Sequence, residues 1–367
     1  MLDPIIAFFS RIFELIGRGI GHLIAWLLWP FIAFRNWLRG RGWFVKIPVF
    51  LILLAIVFSY GYLIYITQFW SIGDPNYPER YAFQTEYGAA GSQDDNGTCH
   101  PSAMVQVAAD LIDKNVNQEH WVPSNPLSKA GFAFVIDWKD TPFFDNKAAF
   151  QLGINQAVRR TAVELVDRLG RVRGTSSINP NLQKAREAAN YREDAWVVTL
   201  SPPFLQPSTQ AKLRDARKSL LAFNQDLEGC RAEFDARADN LLQFFDRVTA
   251  DIGSTSEILQ RRMEQSNFTG FDARADDRFW FTFGQLYGYY GILSAARSDF
   301  REVVAQRNLD AIWDRVDEQL QDALKVRPPF VANGSASSLI KSHLESIGFD
   351  LLRVRSNLVE MRDVLDR

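Results

Sequence analysis

The longest apolar stretch of the chain predicts a transmembrane helix at residues 47–72. No charged residue occurs between Ile47 and Gly73, and the stretch exceeds the roughly 20 residues needed to cross about 30 Å of hydrocarbon. Aromatic residues typical of the membrane interface stand at both ends. They are Trp43 and Phe44 on one side, and Tyr60, Tyr62, Tyr65, Phe69 and Trp70 on the other.

The charges that flank this stretch predict its direction. The preceding loop, residues 35–46, is basic, whereas Asp74 and Glu79 follow the stretch. Since positively charged loops stay in the cytoplasm, we expect a single-pass membrane protein with a cytoplasmic N-terminus and its main domain on the far side of the membrane. The basic residues expected to face anionic lipid are Arg35, Arg39, Arg41 and Lys46.

Residues 1–34 predict an amphipathic helix that associates with the membrane. On a helix their polar residues share one narrow face, and apolar residues cover the rest. A helix lying in the plane of the cytoplasmic leaflet fits this pattern. A second span, with its polar face turned toward a partner helix and Pro30 marking a kink or an end, is the alternative.

Beyond the span the pattern is mainly helical. Residues 73–101 are rich in turn-forming residues and predict a linker, followed by a domain on the far side of the membrane at 102–367. We expect helices over Ser102–Lys114, Asp145–Val172, Asp277–Val304 and Leu309–Val326. Phe132–Trp138 and Trp196–Leu200 are candidate strands that could form one short β pair. The predicted class is therefore mainly α: an amphipathic helix, one transmembrane helix and a helical bundle.

Two long apolar repeats predict coiled-coil-like helices in that bundle. The first follows Pro207 with a period of seven residues, so we expect one helix of about 45 residues, ended by Gly253 and spanning roughly 65–70 Å. The second runs without a break to the C-terminus. The two helix-pairing seams are Leu213, Leu220, Leu227, Leu241 and Val248, and Ile340, Leu344, Ile347, Leu351, Val354, Leu358, Met361 and Leu365. Such seams close either within one chain or between chains.

Three glycines, Gly284, Gly288 and Gly291, fall in a predicted helix. Glycine destabilises a helix interior unless close packing requires it. We therefore expect another helix to cross tightly at this point.

A six-residue motif occurs twice, as Phe234-Asp-Ala-Arg-Ala-Asp239 and as Phe271-Asp-Ala-Arg-Ala-Asp276. The simpler interpretation is a repeated helix-start device with local ion pairs. The functional interpretation is an acidic site. Its residues are Phe234, Asp235, Arg237 and Asp239 in the first copy, and Phe271, Asp272, Arg274 and Asp276 in the second.

These paired motifs, the Tyr287-Gly-Tyr-Tyr290 stretch and the N-terminal anchor resemble a bacterial family, domain-of-unknown-function family twenty-three thirty-three. The resemblance covers most of the chain and implies a Gram-negative inner-membrane protein with a periplasmic domain. It implies no activity.

Composition narrows the function classes. Residues 1–46 carry six basic and two acidic side chains, so the remainder of this chain of net charge -2 carries -6. An acidic main domain is a poor candidate for binding nucleic acid. Cys99 and Cys230 both follow the span and could pair in an oxidising compartment. No motif indicates catalytic residues, a metal site or a cofactor.

The favoured function is a membrane-anchored scaffold that binds lipid and either self-associates or docks envelope proteins. One alternative is an envelope enzyme that acts on peptidoglycan or lipid through carboxylates. The other is a ligand-sensing domain that works with a separate partner.

Overall fold

The computed structural model describes residues 3–83, 87–94, 97–131, 137, 141, 144–171, 177–199, 201–265, 272, 274–334 and 342–367. Within these ranges the chain forms twelve α-helices and no sheet, which confirms the predicted class. It divides into two units, Met1–Tyr62 and Leu63–Arg367. The helices are α1 Asp3–Arg39, α2 Trp43–Gln68, α3 Ala103–Asp113, α4 Pro126–Lys129, α5 Asn146–Glu164, α6 Pro180–Ala189, α7 Thr209–Glu228, α8 Ala238–Gln265, α9 Ala275–Asp299, α10 Arg301–Gln306, α11 Asp310–Lys325 and α12 His343–Leu365.

The first unit contains α1 and most of α2. Helix α1 continues through Pro30, and a turn at residues 40–42 joins it to α2. Two stretches, Gly17–Arg39 and Trp43–Gln68, are long and apolar enough to cross a membrane. The second span considered for the N-terminal helix therefore remains an alternative to the in-plane helix.

The second unit is a helical bundle built around α9, whose side chains are nearly all buried. Helices α5, α3 and α11 pack against α9, while α12 packs on α8 and α6 on α7. One end of the bundle, here the junction end, holds the last turns of α2. The opposite end, here the far end, holds the Cys99–Cys230 disulfide.

The predicted tight crossing is present between α5 and α9. A Cβ on Gly284 would lie 2.1 Å from the carbonyl oxygen of Phe150, and one on Gly153 would lie 2.0 Å from that of Phe281. Glycine on both helices thus lets the two backbones touch, with Gly288 opposite Ile154 further along the same crossing.

The single long helix predicted after Pro207 is wrong. Helix α7 ends at Glu228, α8 begins at Ala238, and α8 continues through Gly253 to Gln265. The break lies at Cys230, whose φ of 51° no helix accommodates, and the disulfide to Cys99 holds it there. The chain therefore reverses at the far end instead of extending as a rod.

Both predicted seams are buried within the one chain. The first is shared between α7 and α8. In the second, every position from Leu344 onward faces the core, while Ile340 lies outside the described residues. The buried seam residues are Leu213, Leu220, Leu227, Leu241, Val248, Leu344, Ile347, Leu351, Val354, Leu358, Met361 and Leu365.

The predicted β pair has a different form in the part that is described. Val198 forms an antiparallel bridge with Leu205, so Trp196–Thr199 pairs with the residues just after Pro202-Pro203. Residues 132–136 and 138, the other half of the predicted pair, lie outside the described residues.

Candidate functional site: the junction of α2 with the bundle and the adjoining cleft

The end of α2 is built into the core of the bundle. Trp70 follows α2 directly and lies between Phe150 and Trp280, with ring centroids 5.2 and 5.8 Å away. The ring of Tyr65 lies against His120, 6.1 Å between centroids. The buried residues at the end of α2 are Leu63, Ile66 and Thr67. Because Trp70 touches both α5 and α9 near their starts, residues 63–70 belong to the packed bundle.

The residues after Trp70 are also fixed, although 73–101 was expected to be a linker. The Ser71 N–H donates to Glu119 at 2.8 Å, and Lys114 donates to the Ser71 carbonyl at 3.1 Å. Tyr77 is buried, stacks on Tyr287 at 4.4 Å, and donates its hydroxyl to the Tyr287 carbonyl. The segment therefore runs along α9 as part of the packed unit.

Where this segment continues, it forms one wall of a cleft of about 760 Å³. Tyr81 and Phe83, stacked 5.1 Å apart, supply an aromatic wall, and Asp317 and Gln321 of α11 face it. Burial raises the pKa of Asp317 to about 7, although Arg297 opposes the shift. A cleft with aromatic faces and a few polar groups fits a small amphipathic ligand.

The charge of Arg297 in this cleft is already compensated. Its guanidinium pairs with Asp310 and Asp314 at 2.7 Å each, and with Asp317 at 3.5 Å. A guanidinium held by three carboxylates has little remaining attraction for an anion. A second guanidinium in the cleft, that of Arg301, donates to the Phe83 carbonyl at 2.9 Å. The lining therefore carries charges of both signs and does not by itself select the charge of a ligand.

The first copy of the repeated motif lies at the far end. Phe234 packs on Phe300 with centroids 5.8 Å apart. Arg237 donates to Asp235 at 2.7 Å and lies 3.6 Å from the exposed Asp239. The motif's carboxylates are thus bound by its own arginine.

The second copy lies at the other end of α8. Asp272 is paired with Arg262 and accepts from Asn333 at 2.9 Å. Burial acts to raise the pKa of Asp272, but these hydrogen bonds outweigh it and hold the pKa below its ordinary value. Arg274 precedes α9, and Phe271 lies outside the described residues.

The two copies therefore form no common acidic site. The 24 residue-to-residue steps from Ala238 to Arg262 rise about 36 Å along α8 at about 1.5 Å each, which separates the copies by most of the bundle. What they share is position, because α8 and α9 both begin at the fifth residue of the motif. The helix-start interpretation accounts for both.

Asp272→Ala should lower the free energy of unfolding by about 1–2 kcal/mol, because Arg262 and Asn333 lose a charged acceptor. Asp239→Ala, at the exposed last residue of the first copy, should change it by less than about 0.5 kcal/mol. Denaturant unfolding of the full-length proteins in one detergent measures the difference. Equal stability of the two variants would contradict a structural role for Asp272.

An acidic cluster at the junction end was not predicted from the sequence. Asp145 precedes α5 and is fully buried; burial and the nearby carboxylates of Asp277 and Asp276 raise its pKa. Burial and Asp277 likewise raise the pKa of Asp276 to about 8. Among the described residues no group of three or more acidic, histidine or cysteine side chains has the geometry of a metal site.

Because of this cluster, we expect the free energy of unfolding to fall as the pH rises. Asp276 titrates near 3.9 when unfolded but at about 8 when folded, so only the folded chain keeps the proton between these values. The stabilisation is complete below about pH 4 and should be lost progressively as the pH rises to about 8. Thermal unfolding across this range should be less pH-dependent in Asp276→Asn than in wild type or the exposed control Asp215→Asn. An unchanged slope would contradict the raised pKa.

A second buried carboxylate links three helices of the core. Asp251 of α8 accepts from Tyr289 at 2.6 Å and Gln285 at 2.8 Å on α9, and from Gln156 of α5 at 2.7 Å. All of its partners are long-range in sequence, so no local pattern could have indicated it. The network orients the helices, and it is enclosed by them.

The remaining predicted residues have clear positions. Cys99 and Cys230 form a disulfide across 131 residues. In the first unit, Arg35, Arg39 and Arg41 are exposed and Lys46 is half-buried; Arg41 lies over the Trp37 ring and Lys46 over the Trp43 ring.

The comparison with protein families agrees with the resemblance seen in the motifs. Residues 39–273 match the model of DUF2333, described as an uncharacterised protein conserved in bacteria. The chain belongs to the DUF2333 family. The match begins at the end of α1 and covers α2, the junction and the bundle as far as the second motif of this DUF2333 protein. No curated protein and no solved structure matches the chain.

Proposed function

We propose that this protein is a scaffold of the bacterial envelope, anchored by α2 in the inner membrane and holding its bundle in the periplasm. The observation that carries the proposal is the junction, where Trp70 packs on Phe150 and Trp280. A tethered enzyme needs only a flexible linker. A domain whose core begins at the membrane surface is suited to presenting fixed surfaces to partners.

Two further observations support the periplasmic side. The Cys99–Cys230 disulfide is typical of an oxidising compartment. The basic residues before α2, with Asp74 after it, follow the positive-inside pattern. Membrane lipid is therefore the first partner we propose, and nucleic acid is not one.

Self-association remains a prediction, and it needs a surface other than the seams. Leu220 on α7 and Leu351 on α12, at the centres of the two seams, are both fully buried within the chain. A homo-oligomer or a complex with other envelope proteins would have to use the outer faces of the helices.

The mass of the protein extracted from its own membranes tests the scaffold. We expect a defined assembly larger than one 41.9 kDa chain, and we expect Trp70→Ala to weaken that assembly while the protein stays in the membrane. Phe69→Ala, next to it but exposed, is the matched control. A monomer that gives no discrete product on crosslinking in intact cells would contradict the scaffold.

Ligand sensing is the second candidate, and the cleft favours it. The wall formed by Tyr81 and Phe83 belongs to the segment that begins at the junction, so an occupant of the cleft would contact that segment directly. Ser294→Phe should fill the cleft, whereas Ser294→Ala should leave it open. Native mass spectrometry should then detect a small-molecule adduct on wild type and Ser294→Ala but not on Ser294→Phe. Its absence from all three would contradict ligand sensing.

The envelope-enzyme alternative has the least support. Asp235 and Asp272 are each paired with an arginine, and Asp276, with its raised pKa, is buried. A general acid must reach its substrate, which none of these carboxyl groups does. Loss of function in Asp272→Ala without loss of stability would favour the enzyme instead.

A further inference from the structure

An apolar hairpin projects from the bundle between α6 and α7. Its two arms are joined by hydrogen bonds from Thr199 N–H to the Phe204 carbonyl and from Gln206 N–H to the Val197 carbonyl. Residues 196–206 contain no charged side chain. Five of their large apolar side chains are exposed, by 41 to 70%: Trp196, Val197, Val198, Phe204 and Leu205.

The base of the hairpin is firmly attached. Thr209 is buried, accepts from Ala195 N–H through its hydroxyl at 3.0 Å, and donates its own N–H back to the Ala195 carbonyl at 3.0 Å. The Thr209 hydroxyl also donates to the Arg192 carbonyl at 2.8 Å. The exposed arms thus extend from a fixed point of the bundle.

That fixed point lies beside the membrane junction. Trp121 donates its ring N–H to the Glu193 carbonyl, and its own carbonyl accepts from Gln210, so both sides of the hairpin base contact it. The preceding residue, His120, faces Tyr65 in the last turns of α2. Trp121 and His120 therefore connect the base of the hairpin to Tyr65, one of the aromatic residues expected at the membrane interface.

We propose that the tip of this hairpin inserts into the outer leaflet of the membrane that α2 crosses. Exposed patches of this kind mark protein or membrane contacts, and three features favour lipid. The hairpin lies at the end of the bundle where the chain leaves the membrane. It contains no charge to desolvate. Its tip is Pro202-Pro203, which has no backbone N–H groups to leave unbonded in hydrocarbon.

Insertion gives the junction a second point of contact with the bilayer. One spanning helix leaves a domain free to tilt about it, whereas a hairpin fixed at Thr209 and embedded at Phe204 would restrict that tilt. The inference rests on membrane anchoring by α2, which the proposed function includes.

Fluorescence quenching by lipid tests the insertion directly. Full-length Phe204→Cys, labelled with an environment-sensitive dye and reconstituted in phosphatidylethanolamine/phosphatidylglycerol vesicles, should lose roughly half of its emission to acyl chains brominated near the headgroup, since interfacial segments lie about 5–10 Å deep. It should resist quenching by iodide. Ile178→Cys is the matched control, because Ile178 is 38% exposed and apolar but lies at the far end beside Asn179, which bonds Asp226. Leu205→Cys repeats the test at a second position.

Each other outcome overturns the insertion. Quenching of position 204 by iodide, and not by brominated lipid, would leave the hairpin in water. Protection from both quenchers would mean that a second copy of the chain covers it. Failure of the labelled protein to float with the vesicles would contradict anchoring by α2 itself, and so the proposed function, before the hairpin is tested.

Discussion

Gly284→Ala should destabilise the bundle by about 3 kcal/mol, at the upper end for an overpacked core. The new methyl group would lie 2.1 Å from the Phe150 carbonyl oxygen, and that atom belongs to the backbone, which cannot rotate away. Helices α5 and α9 would have to separate by about 1 Å, which disturbs close packing along the whole crossing. The gain in helix propensity, about 1 kcal/mol, offsets only part of this.

The measurement is thermal unfolding of full-length protein in one detergent, followed by the loss of helical signal. We expect a decrease in Tm of roughly 5–10 °C. Gly348→Ala is the matched control, because a Cβ there would meet only Leu259, at an ordinary 3.8 Å, and should add about 0.5–1 kcal/mol. If both variants unfold at the wild-type temperature, α5 and α9 are not in backbone contact.

This crossing was predictable because its cause is local. Glycines recur within a helix mainly where a neighbour approaches closely, and the sequence places Gly284 and Gly288 one turn apart on one helix. Gly291, the third glycine of the prediction, lies against the Tyr77 hydroxyl and not against α5. The same is true of α3, which begins after Ser102 as expected, with the Ser102 hydroxyl accepting from Val105 N–H. A cap and the spacing of glycines along one helix both depend on residues a few positions apart, so they can be read from the sequence. The identity of the crossing helix, α5, cannot be read in this way.

The long helix was mispredicted because buried loop residues can imitate a helical period. Phe234 falls seven residues after Leu227 and seven before Leu241, and it is buried like both. It nevertheless lies in the connection between α7 and α8, where it packs on Phe300. Apolar periodicity reports burial, and a loop that folds back onto the core satisfies it as well as a helix does.

The acidic cluster and the cleft could not have been predicted, since each is assembled from distant segments. Asp145 meets Asp276 only because α5 and α9 begin side by side. The cleft likewise joins Tyr81 to Asp317 across more than half of the chain. The acidic-site interpretation of the repeated motif also required its two copies to meet, whereas the length of α8 keeps them apart.

Removal of the Cys99–Cys230 disulfide should cost about 4 kcal/mol. The bond closes a loop of 131 residues, and in the chain-entropy account a loop of that size restricts the unfolded state by roughly 4–5 kcal/mol. It also joins the segment whose Ala90 bonds the Asp299 carbonyl to the turn between α7 and α8. The double variant Cys99→Ala/Cys230→Ala should therefore unfold at a lower denaturant concentration than wild type.

Reductant supplies the control for this comparison. In reductant, wild type should unfold at the same denaturant concentration as the double variant. The double variant itself should unfold at the same concentration with and without reductant. A wild type unaffected by complete reduction would contradict the stabilising role.

The same two cysteines test the compartment of the bundle. If the bundle is periplasmic, a thiol-reactive reagent added to intact cells without reductant should label neither position. Reactive thiols there would place the bundle in a reducing compartment and reverse the topology proposed for α2.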